Sequence, residues 1–171
     1  MEESDYYTTS GVMIVSGAPI QEPLVTPTFH PAERNWRSMQ KITTFLTFIG
    51  QAEEAMNFYV SLFDRSRVLG IEHYGPNDGE NAGKVKHATF SLSGQEFACI
   101  DSPPVHEWTF TPAISLWVTC HSEEEIDRLH ARLGEGGQVF MPLGPYPFAR
   151  RFAWLADRYG VSWQLALQEP L

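Results

Sequence analysis

The sequence predicts an α+β domain of two βαβββ modules, whose strands form a cupped mixed sheet around a central cavity. Between residues 41 and 167 the same order of predicted elements, one strand, one helix and three strands, occurs twice. Met56 and Ile126 occupy equivalent helix positions, 126 − 56 = 70 residues apart, and the same offset carries Thr44 onto Ile114. A single module leaves one sheet face bare, so pairing two modules covers that face and encloses space for a small ligand.

The first module covers about residues 41–101. Its predicted elements are strand 42–48, helix 51–63, strand 67–74, strand 84–92 and strand 95–101. The helix is indicated by apolar residues that recur at helical spacing between Ala52 and Phe63. Residues 75–79 read Gly-Pro-Asn-Asp-Gly, a loop composition, and Ser93-Gly94 suits the tight turn of a hairpin.

The second module covers about residues 113–167. Its predicted elements are strand 113–119, helix 122–134, a short strand 139–141, strand 151–156 and strand 161–167. Ser122 and Glu125 have the spacing of a capping box at the helix start, and Gly134 is predicted to supply a left-handed stop. Residues 142–147 are rich in Pro and Gly, which favours a flexible loop.

Residues 1–38 and 168–171 lie outside this repeat. The first segment is an N-terminal extension with prolines at 19, 23, 27 and 31, and we expect it to be irregular or partly extended. Periodic patterning begins directly after Met39, which leaves two interpretations open. Either Met39 is the true start, or the extension is an ordered arm that docks on a neighbour. Residues 168–171 are expected to be a short tail.

The charge balance disfavours two classes of partner. Lys plus Arg is 12 and Asp plus Glu is 21, a net charge of −9, which disfavours nucleic acid and anionic membrane surfaces. The longest apolar runs are too short to span a bilayer. The two cysteines, Cys99 and Cys120, are too few for a disulfide framework, so we expect reduced thiols and a cytoplasmic protein.

Three segments carry recognisable motifs: residues 39–59, which end in Asn57-Phe58-Tyr59, Ile100-Asp101-Ser102-Pro103 followed by residues 110–115, and the closing segment 157–165. Together they resemble the PhnB-like branch of the glyoxalase/bleomycin resistance/dioxygenase superfamily, also called the vicinal oxygen chelate superfamily. The resemblance implies the paired βαβββ fold, a homodimer and one pocket in the cupped sheet. Members are often labelled demethylubiquinone methyltransferases. The chain lacks the Gly-rich strand-to-helix turn that would cradle a nucleotide cofactor, so this activity is not expected.

The resemblance also implies where a metal ion would bind, because other members of the superfamily use His and Glu from four strands. Those positions fall on Thr44, Ile114, Gln164 and either Cys99 or Asp101 in this sequence. Isoleucine cannot bind a metal, threonine is a poor ligand and an amide brings no charge. We therefore expect no metal and no other cofactor. Glyoxalase, dioxygenase and epimerase chemistry depends on that metal site, so it is disfavoured as well.

A small molecule in the pocket is the favoured hypothesis. The candidate ligand-binding residues are Thr44, Phe48, Asp101, His106, Arg151 and Gln164. His106 is a candidate pocket donor or general base, and Arg151 a candidate clamp for a carboxylate or phosphate. The alternative for Arg150-Arg151 is a strand whose side chains alternate between its two faces, with both charges reaching water.

Two other functions remain open at this stage. One is an enzyme in which His106 and Asp101 act as acid–base partners or as weak metal ligands. The other is a protein-interaction role, in which the acidic surface and the N-terminal extension bind a partner. No catalytic residue is assigned, and the ligand and any reaction stay undetermined, because a fold does not specify a function.

Overall fold

The computed structural model describes residues 42–167 and contains the predicted repeat. The elements of the first module are β1 (Thr44–Phe48), α1 (Ala52–Leu62), β2 (Arg67–His73), β3 (Val85–Leu92) and β4 (Gln95–Asp101). Those of the second are β5 (Leu116–Cys120), α2 (Glu123–Gly134), β6 (Gln138–Tyr146), β7 (Ala149–Ala156) and β8 (Ser162–Leu167). The α+β class and both βαβββ modules are confirmed, while the predictions for residues 1–38 and 168–171 lie outside the described residues.

Each module forms one four-stranded mixed sheet. The strand orders are β1-β4-β3-β2 and β5-β8-β7-β6, so the two topologies are the same. In each sheet the first strand pairs in parallel with the last, and the other neighbours are antiparallel. Within residues 42–167 the eight strands therefore make two sheets and no closed barrel, with β1 and β5 as edge strands that no ladder joins.

The helix of each module covers one face of its own sheet. In the first module Leu46 lies beside Cys99 and Phe48 beside Asp101, all four buried on the face that packs against α1. Side chains alternate along a strand, so Phe45 points to the opposite, uncovered face. We call the uncovered face of each sheet its open face.

The second module follows the same plan, and its helix α2 differs from the prediction at its end. The predicted Ser122 cap is confirmed, since Ser122 Oγ accepts a hydrogen bond from Glu125 N at 3.1 Å. The reciprocal bond of a capping box is shifted by one residue, because Glu125 Oε2 accepts from His121 N at 2.7 Å and not from Ser122 N. The left-handed stop predicted at Gly134 is wrong. Gly134 is the last helical residue, and the positive φ of 72° belongs to Gly136.

The predicted loop at 142–147 is also wrong, because most of it belongs to β6. This strand lies at the edge of its sheet, and its pairing with β7 is interrupted by register shifts between Met141 and Gly144 and between Gly144 and Tyr146. Edge strands with bulges tolerate proline and glycine, which would break a central strand. Likewise β7 begins at Ala149 instead of residue 151, and β5 begins at Leu116 instead of residue 113.

The two modules share one apolar core. Tyr59 of α1 contacts Trp163 of β8 with ring centroids 5.2 Å apart, and Arg128 of α2 donates a 2.8 Å hydrogen bond to the Leu62 carbonyl at the end of α1. The core therefore continues from one module into the other. Neither helix of the described chain is long and apolar enough to cross a membrane.

Candidate ligand-binding site

A cavity of about 530 Å³ lies between the two modules. We call it the intermodule cleft. It is bounded by the end of α1, the β3–β4 hairpin and β1 on one side, and by β5 and the start of α2 on the other. Its principal lining residues are Phe63, Arg65, Gln95, Trp117, Thr119 and Trp163.

Aromatic rings form part of the cleft wall. Phe63 stacks on Trp163, with centroids 5.7 Å apart and planes 23° from parallel. Trp117 remains 50% exposed, although it also contacts Phe152 on the open face of the second sheet. An exposed indole at the mouth of a cavity offers a flat apolar surface for a ligand.

Arg65 supplies the positive charge among the residues that line the cleft. It follows α1 with a φ of 53°, and its guanidinium has no ion pair or hydrogen bond within the described chain. Asp64 also lines the cleft, whereas the carboxylate of Glu125 is occupied by the backbone N–H of His121. An unpaired guanidinium is a ready donor for a carboxylate or phosphate group.

A second cavity, of about 460 Å³, shares Thr44 and Leu116 with the cleft. It is bounded by β1, by residues 109–114 of the connection between modules and by the start of β8. Its wall is more apolar than that of the cleft. The two cavities together follow the gap between the edge strands β1 and β5.

The predicted site residues do not gather around one pocket. Thr44 lines both large cavities, while Phe48 and His106 line a separate pocket of about 70 Å³. Gln164 lies on the open face of the second sheet, beside Trp117 and Trp154 in the strand register. Of the six candidates, Thr44 alone reaches the intermodule cleft.

Asp101 occupies a structural position. Its two carboxylate oxygens accept hydrogen bonds from the backbone N–H groups of Ala52 and Val85, both at 3.0 Å. Ala52 is the first residue of α1, and Gln51 before it provides no side-chain cap. The Asp101 carboxylate therefore caps α1 from a neighbouring strand and ties β3 to it.

Arg151 points to the helix-covered face of the second sheet. Its guanidinium pairs with Asp127 of α2, through bonds of 3.1 and 2.6 Å, and lies 3.6 Å from Glu123. Arg150 pairs with Glu123 as well. Both arginines lie in β7, the second strand of the β6–β7 hairpin, and pair with carboxylates of α2. Neither therefore follows the flexible loop that was predicted at 142–147.

The positions implied for a metal ion do not offer a suitable donor set. Cys99 and Asp101 both face α1, and burial, followed by the nearby Asp101 charge, raises the pKa of the Cys99 thiol to about 12. Ile114 is 79% exposed in a loop. Within residues 42–167 no three His, Cys, Asp or Glu side chains are grouped closely enough to hold an ion.

The residues that shape the cleft were mostly missed by sequence reasoning. Arg65 follows the helix in a turn, and nothing in its spacing marks it as functional. Phe63 is the last apolar residue of the helical stripe. It lies directly after the end of α1, and this end of the helix borders the cleft. Trp117 had a usable signal, since its alternation with Leu116 and Val118 places it on the uncovered face of an edge strand.

Comparison with known proteins identifies the family. The family model for 3-demethylubiquinone-9 3-methyltransferase matches residues 40–166. The chain belongs to this PhnB-like family. No protein of curated function matches it.

Solved structures of PhnB-like and related proteins share the fold. A PhnB protein from Bacillus cereus is 60% identical, with a TM-score of 0.73 over 75% of this chain and 99% of the other. A protein from Pseudomonas aeruginosa is 28% identical, with a TM-score of 0.64 over 75% and 98%. A glyoxylase/bleomycin resistance protein/dioxygenase domain from Frankia is 16% identical over 74% and 95%, with a TM-score of 0.54, a likeness of fold.

The family description names a methyl transfer. The two strand-to-helix turns of this PhnB-like chain are short, residues 49–51 before α1 and residues 121–122 before α2. They contain one glycine, Gly50, and so differ from the Gly-rich turns that cradle nucleotide cofactors.

Proposed function

We propose that this PhnB-like protein binds a small organic molecule in the intermodule cleft, without a metal ion. The observation that carries the proposal is the cleft itself, because about 530 Å³ lies in the range of small-molecule sites. Its wall combines aromatic surface with a few polar groups, as such sites do. The proposed ligand presents a flat apolar part to Trp117 and an anionic group to Arg65.

The first experiment separates metal-free binding from metal chemistry. Metal content and melting temperature are measured on purified protein, with and without added Zn²⁺, Mn²⁺, Ni²⁺ and Fe²⁺. The expected result is no stoichiometric metal and no rise in melting temperature. A stoichiometric ion together with a raised melting temperature would overturn the metal-free part of the proposal.

The second experiment locates the ligand. A metabolite collection is screened by thermal shift, and the affinity of each hit is measured for Arg65→Met and Arg67→Met. Arg67 is an exposed arginine of β2 that does not line the cleft, so it is a matched control. Loss of anionic hits in the Arg65 variant alone supports the cleft, whereas equal affinity in both variants contradicts it.

The acid–base enzyme has no supporting contact in the described chain. Both Asp101 oxygens are occupied by backbone N–H groups, and His106 stacks on Trp108 with centroids 4.4 Å apart. No hydrogen bond joins His106 to Asp101 among the described residues.

We further propose a cytoplasmic homodimer. Phe45 and Phe148 are large apolar side chains left exposed on or beside the open faces, and a second copy of the chain would cover them. The buried free thiols, Cys99 and Cys120, suit a reducing compartment. A native mass equal to one chain would refute the dimer, and Phe148→Glu should dissociate it. Cell fractionation tests the location.

A further inference from the structure

The pocket of about 70 Å³ has an unusual wall. Its ring-bearing lining residues are Phe48, His106, Trp108, Phe110 and Tyr159. We call it the aromatic pocket. It lies where the connection between modules meets the end of β1 and the β7–β8 turn, and it shares no lining residue with the intermodule cleft.

Contacts between the rings hold this wall in place. Phe48 lies 5.2 Å from Phe110 and 6.4 Å from Tyr159, the latter edge to face at 89°. Trp108 is 57% exposed, and His106 stacks against it with planes 16° from parallel. The indole is therefore positioned by a neighbour although it belongs to a loop.

The charges around the aromatic pocket favour a cation. None of its lining residues is Lys or Arg. Glu54 accepts a 2.8 Å hydrogen bond from the Oη of the lining residue Tyr159, and Glu107 precedes the lining residue Trp108 in the chain. Both oxygens of Asp101 are bound to backbone N–H groups, and Arg158 contacts Tyr159 without lining the pocket. The net charge of the whole chain, −9, has the same sign.

One of these rings already binds a cation within the chain. The Arg158 guanidinium lies 5.1 Å from the Tyr159 ring centroid and 4.4 Å from that of Phe58. Positive charge is attracted to aromatic faces by the ring quadrupole. The same attraction is available to a ligand that enters beside Trp108.

We propose that the aromatic pocket binds a small organic cation with an alkylated ammonium group. Three observations support this: several aromatic rings in one wall, no Lys or Arg among the lining residues, and the Glu54 carboxylate bound to the lining residue Tyr159. A volume of about 70 Å³ holds a group of a few heavy atoms, which suits an ammonium head group better than a whole drug-sized ligand. The site is independent of the proposed function of the cleft.

The test compares choline with 3,3-dimethyl-1-butanol, its uncharged analogue of the same shape. Binding to the full chain is followed by tryptophan fluorescence and by ligand-observed NMR. Choline should bind in the millimolar range, and the neutral analogue at least about tenfold more weakly. Equal affinity for the two probes would overturn the proposal, and so would the absence of choline binding.

Variants locate the site. Trp108→Leu should weaken choline binding at least about tenfold, and Trp108→Phe should retain most of it, because Phe keeps an aromatic face. Tyr74→Leu is the control, since Tyr74 is an aromatic residue that does not line the pocket. Melting curves verify that each variant folds. Unchanged choline affinity in Trp108→Leu, or an equal loss in Tyr74→Leu, contradicts the assignment.

Discussion

Tyr59 Oη donates a 2.7 Å hydrogen bond to Asp157 Oδ2, and this contact joins the helix of the first module to the last hairpin of the second. The same carboxylate accepts from Trp163 Nε1 at 2.8 Å and from the backbone N–H groups of Tyr159 and Val161. Asp157 is only 3% exposed. Burial raises its pKa, although the four hydrogen bonds act in the opposite direction.

Asp157→Asn should destabilise the whole domain. The amide retains one acceptor oxygen and turns an N–H₂ group toward the donors of the other, so two of the four buried donors lose their bonds. We expect the free energy of unfolding to fall by about 2–4 kcal/mol. Urea unfolding followed by tryptophan fluorescence measures the loss.

A surface carboxylate provides the control for that substitution. Asp127 pairs with Arg151 but remains exposed, and exposed ion pairs contribute little to stability because water screens them. Asp127→Asn should therefore change the unfolding free energy far less than Asp157→Asn. Similar losses in the two variants would show that the Asp157 network contributes little.

Alkaline pH should weaken the fold through Tyr59. Burial first, and the Asp157 charge second, raise the pKa of Tyr59 well above its usual range. In the unfolded chain a tyrosine ionises at about pH 10. Because the folded pKa is the higher one, this contribution to stability is complete below about pH 10 and is lost as the pH rises above it.

Tyr59→Phe isolates that dependence. The variant should begin with a lower melting temperature, since it lacks the bond to Asp157, but its melting temperature should fall less steeply from pH 9 to 11 than that of the wild type. Tyr74→Phe is the control. Parallel slopes for the wild type and Tyr59→Phe would refute the role of Tyr59.

The two thiols should be unreactive in the folded protein. Burial raises the pKa of both Cys99 and Cys120 to about 12, and thiolates are the reactive species. At neutral pH a thiol-specific disulfide reagent should label neither cysteine until denaturant is added, after which both react. Cys99 lies in β4 and Cys120 in β5, so rapid labelling of the native protein would show that one of these two strands opens readily.

Asp101→Ala should cost stability and leave ligand binding in the cleft intact. The substitution removes the acceptor of two buried N–H groups, at Ala52 and Val85, so a loss of about 2–4 kcal/mol is expected. Glu80→Ala, at an exposed turn, should be nearly neutral. A stable Asp101→Ala variant with lost ligand affinity would instead make Asp101 a binding residue.

The fold was predictable because its signals are local. Helical spacing from Ala52 to Phe63 and the Ser122–Glu125 capping box identified elements without any tertiary information. The loop at 142–147 failed for the opposite reason. Proline and glycine usually end a strand, and only the edge position of β6, a tertiary property, makes them acceptable.

The site was harder to predict because it depends on side-chain direction. A shift of one residue along a strand moves a side chain to the other face of the sheet. Phe48 and Asp101 thus point toward α1, whereas Gln164 points to an open face. Residue type suggested that Phe48, Asp101 and Gln164 line one shared pocket. The strand register instead directs their side chains to different faces of the sheets. Arg65 enters the cleft from a turn, where no periodicity applies.

The Tyr59–Asp157 contact also bears on the history of the repeat. The helix position equivalent to Tyr59 in the second module is Leu129, and the residue that follows β3, as Asp157 follows β7, is Ser93. A leucine and a serine cannot reproduce the buried phenol–carboxylate bond. Each half therefore supplies one partner of the Tyr59–Asp157 hydrogen bond that the other half does not contain. A chimaera made of either half twice would lack this bond between its two modules.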